Sequence, residues 1–201
     1  MALVDADCKF LYVDVGSCGR ASDGRALDRC SLKQGVEGNV LDIPQPENIP
    51  LSDKKCPYVF AGDDAFPLKT YLMKPYPGWD QTHDKITYNY RVSRARRTSK
   101  NAFGILAARF QIFKQPIRIS PEKVNDILLA AVTLHNMLHE SSSNSYTPPG
   151  FIDAEDMESG RIQVGHMHHF PYGAVEGLEA VGRGHSNDAK NIREKFRLLQ
   201  Q

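Results

Sequence analysis

The sequence predicts an α/β domain, and three observations carry that prediction. Lys9 to Gly16 (KFLYVDVG) is rich in β-branched and aromatic residues and stops at a glycine, as a strand does. Tyr58 to Ala61 is a second, shorter run of β-formers, ending in Gly62-Asp63-Asp64. Ser93 to Phe113 and Ser120 to Glu140 are long stretches whose apolar residues recur at helical spacing.

Taken in order, Ala2 to Val4 reads as a first strand, with Asp5, Ala6 and Asp7 turning the chain into the strand at Lys9, so a hairpin is expected at the N-terminus. Asp42 to Asp53 (DIPQPENIPLSD) is a loop punctuated by Pro44, Pro46 and Pro50. Asp63 and Asp64 follow a strand, where α/β sheets tend to place functional groups; ordinary turn chemistry also puts aspartates there. In the helix at 93–113, Phe103, Leu106, Phe110 and Phe113 form the apolar stripe, and Arg96 and Lys100, four apart, share a different face. Gly104 costs that helix about 1 kcal/mol relative to alanine, a sign of close packing.

The helix at 120–140 is better delimited. Ser120 suits the N-cap, Pro121 the first helical position, and Glu122 the helix dipole. Val124, Ile127, Leu128, Ala131, Leu134 and Leu138 make its buried stripe, and His135 beside them reads as a packed histidine rather than a ligand. Beyond Gly150 the periodicity fades. His166, His168 and His169 read as a solvated loop, and Asn187 to Gln201 as a closing helix with Ile192, Phe196 and Leu199 on one face.

With 201 residues, 41% of them hydrophobic and 24% charged, the chain can bury one core but is too short for two large domains. No run approaches the roughly 20 apolar residues of a membrane span, and MALVDADCKF lacks the basic-then-apolar order of a secretory signal. Cys8, Cys18, Cys30 and Cys56 fit no zinc spacing and read as reduced, packed thiols. The net charge of +1 hides an asymmetry: Arg91 to Arg118 holds eight Lys or Arg and no acid. Such a block suits a polyanion such as DNA, and a solvated helix face equally well.

Four segments in order carry a family resemblance: FLYVDVGSCGRASDG (10–24), YVFAGDDAFPLKTYLMKPYPG (58–78), YNYRVSRARRTSKNAFGILAARFQIF (88–113) and ILLAAVTLHNMLHE (127–140). Together they resemble the Harbinger-type transposase superfamily and its domesticated nuclease relatives, over roughly residues 2–140, about two thirds of the chain. The resemblance implies an RNase H-like domain over 1–140 lacking its first strand, hence truncated at its start, and a mostly irregular C-terminal extension over 141–201 that ends in the closing helix.

It also implies a site of the Asp-Asp-Glu type, a metal-dependent DNA endonuclease or transposase using Mg²⁺ or Mn²⁺. The first Asp of the family would precede this chain's first strand, the second corresponds to Asp63, and the Glu position holds Lys100. Asp14 and Asp64 stand near in motif terms, but the family pattern gives neither the role of a missing acid. Two-metal phosphoryl chemistry needs several carboxylates converging on one point. One remaining acid and a lysine therefore predict impaired catalysis, and an ion pair between Lys100 and Asp63 would fill the site without metal. Within the basic block, Arg94, Arg96, Arg97, Lys100 and Arg109 are the expected DNA contacts. A nuclear location and a Myb-like nuclear partner follow from the resemblance alone. The alternative is a domesticated DNA- or protein-binding module without catalysis.

Overall fold

A computed structural model describes residues 1–16, 22–49, 53–156, 159–169 and 185–198. Cys18, Pro50 and Leu199, all named above, lie outside the described residues. The chain divides into two compact units: residues 1–17 with 97–177, and residues 18–96 with 178–201. Helices and four two-stranded sheets make an α/β arrangement in which every described strand is two to four residues long.

The first unit begins with the expected hairpin. β1 (Ala2–Val4) pairs antiparallel with β2 (Phe10–Val13). The Asp5 carboxylate makes the turn by accepting from the backbone N–H groups of Asp7 (2.9 Å) and Lys9 (2.8 Å). β2 stops before Gly16, whose φ of +86° disfavours any other residue, and a side chain there would meet Asn125 at 3.0 Å.

Two long helices pack on that hairpin. α3 (His83–Arg109) starts ten residues before the predicted Ser93 and ends four before Phe113, where a 3₁₀ turn (Gln111–Lys114) leads to Pro116. Its buried residues in this unit include Ala102, Ile105, Leu106 and Ala108, and Phe110 and the following Phe113 pack on the same core, whereas Phe103 is 47% exposed and touches Phe10 only edge-on. Of the predicted stripe, Phe103 alone turns outward. α4 (Pro121–Ser141) matches its predicted bounds, although Ser120 makes no side-chain cap bond. It buries Ala131, Val132 and His135, while Leu134, expected inside, is 42% exposed.

Polar side chains of these helices bond the backbone of extended segments. Asn136 brackets Phe10, its amide donating to the Phe10 carbonyl and its oxygen accepting from the Phe10 N–H, both at 2.9 Å. Asn101 does the same for Asp153, at 3.1 and 3.3 Å. His135, wholly buried, is the packed histidine the sequence predicts. Its Nε2 lies 2.9 Å from the Cys8 carbonyl, which can only accept, so Nε2 carries the proton and Nδ1 accepts from the Tyr146 hydroxyl at 3.0 Å. Burial above all holds the His135 pKa below the ordinary histidine value.

Residues after α4 close this unit. A short helix α5 (Ser143–Tyr146), the strand pair β7 (Ala154–Glu155) and β8 (Ile162–Gln163), and a 3₁₀ turn at His166–His169 bring Tyr146, Phe151 and Met167 into the core. His168 within that turn is paired with Asp153 at 2.8 Å.

The second unit holds the elements around Asp63. α1 (Asp23–Arg29) and α2 (Ser31–Glu37) are short and bury Leu27 and Cys30. β3 (Glu47–Asn48), which falls inside the segment 42–53 expected as loop, pairs antiparallel with β4 (Lys55–Cys56), and β5 (Phe60–Ala61) pairs parallel with β6 (Leu72–Met73). The closing helix is α6 (Asn187–Arg197), capped by the Ser186 hydroxyl accepting from the Ala189 N–H at 3.2 Å. Ala189, Ile192 and Phe196 pack on Leu68, Met73 and Val59, so α6 lies against the β5–β6 pair.

Cys8, Cys30 and Cys56 are free and buried. Burial, with Asp5 and Asp7 nearby, pushes the Cys8 thiol up to about 11, so it is protonated and a poor nucleophile at neutral pH. Among the described residues no helix is long and apolar enough to cross a membrane.

Candidate functional site

The site is built on the end of β5. Phe60 and Ala61 run parallel to Leu72 and Met73, and the Gly62 N–H continues the ladder to the Met73 carbonyl at 2.8 Å. Gly62 is required by close approach, since a side chain there would sit 3.1 Å from Leu72 and 3.2 Å from Phe66. The next residue, Asp63, is therefore placed by main-chain pairing rather than by a loose loop.

Both Asp63 carboxylate oxygens are engaged. Oδ1 accepts from the Ala65 N–H at 3.0 Å, which makes the turn, and Oδ2 faces the Arg96 guanidinium of α3 at 3.4 Å. The two side chains are a third and a quarter exposed, so this ion pair is worth about 0–1 kcal/mol. The cation on Asp63 is thus Arg96, one helical turn before the predicted Lys100, which is exposed on the same helix. Asp64 is exposed, and the backbone of Asp14 closes the N-terminal hairpin of the first unit.

Two residues that sequence reasoning did not single out belong here. Lys74, only 9% exposed, sends its ammonium to the carbonyls of Asp64 (2.5 Å) and Phe66 (2.8 Å), gripping the turn that carries Asp63. Burial lowers its pKa; the charges of Asp64 and Asp63 oppose that shift and Arg193 adds to it. Asp23, at the first turn of α1, has its pKa raised by burial and then by the negative charge of Asp63. These two acids therefore share a neighbourhood. Asp23 and Lys74 stand inside the quoted segments 10–24 and 58–78, the signal that could have found them; that the lysine is buried leaves no mark of its own in the sequence.

The basic residues nominated for DNA divide by what they touch. Arg97 pairs with Glu155 at 2.8 Å, and the Glu155 side chain is only 4% exposed. Arg109 donates from Nε to the Tyr146 carbonyl at 2.8 Å and lies 4.4 Å over the Phe151 ring. Arg96 is on Asp63. Arg94 and Lys100 are exposed on α3, as is Arg91 before them, and Arg118 is exposed in the segment after the 3₁₀ turn.

For a divalent metal the donor set is poor. Mg²⁺ asks for several convergent oxygen ligands, and among the described residues no three His, Cys, Asp or Glu side chains come together in a way that could hold an ion. Around Asp63 stand a guanidinium, a buried ammonium and two further acids, Asp23 and the exposed Asp64. These residues do not fit a two-metal centre.

Comparison with known proteins agrees with the motifs. The family described as DDE superfamily endonuclease matches residues 1–136. "Protein ALP1-like" of Arabidopsis thaliana is 26% identical over 159 residues, covering 78% of this chain and 38% of that protein. "Putative nuclease HARBI1" of Bos taurus and of Homo sapiens are each 32% identical over 91 residues, covering 44% of this chain and 26% of theirs. The chain thus spans well under half the length of these relatives. No solved structure matches it.

Proposed function

We infer, since this chain belongs to the DDE superfamily endonuclease family, that it is a Harbinger-type, transposase-derived nuclease domain that holds DNA without cutting it. The observation that carries the reading is the state of Asp63. The second acid of the family triad has one oxygen committed to a turn and the other to Arg96, with the Lys74 ammonium gripping the same turn. At the Glu position stands Lys100, a reversal of charge. At about 4 Å and an effective dielectric near 20, each unit-charge product is worth roughly 4 kcal/mol. A divalent ion brought to Asp63 must displace Arg96 or sit beside it, and either raises the cost of binding.

DNA as the partner is supported by the exposed cations of the basic block. Of the five nominated side chains, Arg94 and Lys100 are exposed on α3, with Arg91 exposed just before them, whereas Arg96 and Arg97 are half-buried in ion pairs and Arg109 is bonded to the Tyr146 carbonyl. Contacts to phosphate release counterions, so such binding weakens steeply as salt rises. The RNase H-like architecture, the division at residue 140, a nuclear address and a Myb-like partner go with this reading as proposals that rest on the family resemblance.

Incubating the purified chain with supercoiled plasmid in Mg²⁺ and in Mn²⁺ tests the reading, alongside duplex binding at low and high salt. The expected result is salt-sensitive binding and no nicking in either metal. Nicking that Asp63→Ala abolishes would overturn the loss of catalysis, and unmeasurable binding of both duplex and single-stranded DNA at low salt would remove DNA as the partner.

A further inference from the structure

Trp79 is the chain's single tryptophan, and it is wholly exposed, at 103% of its reference surface. A single exposed apolar residue is ordinary, but tryptophan is enriched at interfaces and exposed apolar groups that cluster mark contact surfaces. Its loop is not slack. Gln81 donates from its side-chain amide to the carbonyls of Tyr76 (2.9 Å), Pro77 (3.3 Å) and Gly78 (2.5 Å). Asn89 of α3 accepts from the Tyr76 N–H at 2.7 Å and donates to the Tyr76 carbonyl (3.0 Å) and to Gln81 Oε1 (2.8 Å). Gly78, just before the tryptophan, has φ +89° with open space around it, so the turn geometry and not crowding asks for glycine. The indole is held at the tip of a loop fastened to the first turns of α3.

The same stretch of α3 shows a second exposed stripe. Ile86 is 54% and Tyr90 44% exposed, and with Arg94 they recur every fourth residue, which puts them on one face. The opposite face is the buried one, with Tyr88 and Val92 in the core. Arg91 flanks the stripe and is exposed. The acid of this helical segment, Asp84, is taken up by Arg197 at 3.0 Å. The loop and the helix start thus carry two exposed aromatic rings and two exposed arginines, with one exposed acid, Asp80, beside Trp79. Rings with cations are the pairing that single-stranded nucleic acid uses, bases stacking on rings while cations track the phosphates.

We propose that Trp79, with Tyr90 and Ile86, is a stacking platform for unpaired bases of single-stranded DNA, whose phosphates are met by Arg91 and Arg94. The proposal rests on DNA being the partner and adds which form of it this unit recognises. A pinned loop has little freedom left to lose when a base stacks, so the platform is organised before its ligand arrives.

Because there is one tryptophan, its fluorescence reports the contact directly. The full chain is titrated with a 15-mer of oligo(dT) and with a duplex of equal length, at low and at raised salt. The expected result is saturable, salt-sensitive quenching by the single strand. Trp79→Ala should weaken single-strand affinity by about 5- to 100-fold, read by anisotropy of a labelled oligonucleotide, while Trp79→Phe retains most of it. Neither change removes a packed contact, so the thermal midpoint should stay where it is. Equal binding of both DNAs, unquenched and indifferent to Trp79→Ala, would sink the platform and leave the DNA reading standing. No binding of either DNA at low salt removes both. Concentration-dependent self-association lost in Trp79→Ala, without quenching by DNA, would make the patch a protein contact and overturn the proposal.

Discussion

The two units use similar polar residues for opposite purposes. In the first, charged and amide side chains point inward and bond the backbone or one another: Asn136 and Asn101 bracket short extended segments, His135 bridges the hairpin turn to Tyr146, and Arg97 is paired with the buried Glu155. In the second, polar groups gather at the surface turn that carries Asp63 and at the loop that carries Trp79. A basic residue therefore cannot be read as a nucleic-acid contact from its charge. What it touches decides, and the dividing line falls between two adjacent arginines of one helix.

The largest effect is expected where a buried carboxylate would lose a cation. Arg97→Ala removes the guanidinium 2.8 Å from Glu155, whose side chain is 4% exposed, and taking a cation from a buried carboxylate is destabilising. Arg97 itself is 17% exposed, so some water can enter, and a loss of about 2–4 kcal/mol is expected. Urea denaturation with Arg97→Ala, and with Arg97→Ala combined with Glu155→Gln, measures it. The double variant should recover part of the loss, because an amide tolerates burial better than a charge. A midpoint unchanged by Arg97→Ala would erase the contrast between the units.

What was legible in the sequence follows the same division. The hairpin, the bounds of α4 and the packed role of His135 could be read because local pattern and tertiary burial agree there. α3 could not be read before Ser93, since His83 to Val92 mixes β-branched, aromatic and polar residues, and its helical state is supported by burying Tyr88 and Val92. α1 and α2, seven residues each, span about two turns, too few for a periodic signal. Asp63 was legible from a glycine-aspartate step after a strand. Its partner Arg96 was not distinguished from Lys100, because both lie on one helical face and an ion pair across 33 residues is a tertiary fact. The burial of Lys74 was invisible for a related reason: a lysine becomes buried when the chain folds back over it.

An intermediate effect is expected from pH, and it carries the same sign in both units. Burial lowers the pKa of His135 in the first unit; burial, then Lys74, Arg193 and Lys190, lower that of His185 in the second, where Nδ1 accepts from the Leu68 N–H at 3.2 Å. A histidine held neutral when folded takes up its proton more readily when unfolded. Stability should therefore be complete above the ordinary value of 6.5 and fall as the pH drops below it. The slope is limited to about 1.4 kcal/mol per pH unit for each histidine. His135→Gln should flatten the dependence between pH 6.5 and 5, whatever it does to the midpoint at pH 8. An unaltered slope in that variant would mean His135 does not titrate on unfolding, and its place as an interior bridge would be lost.

The smallest effect is the one next door to the largest. Arg96 faces a carboxylate that is a third exposed, at 3.4 Å, so Arg96→Ala should cost at most about 1 kcal/mol, and less as salt is added. Its consequence is electrostatic instead. Removing the guanidinium uncovers Asp63 Oδ2 and takes away a positive charge, so Mn²⁺ affinity measured by calorimetry should rise, while Lys74 still holds the turn in place. Arg96→Ala and Arg97→Ala thus alter adjacent residues of α3 with opposite outcomes: one changes ion binding and hardly touches stability, the other does the reverse. If Arg96→Ala leaves a low Mn²⁺ affinity where it was, Arg96 is not what keeps cations from Asp63, and that low affinity must come from the scarcity of acids alone.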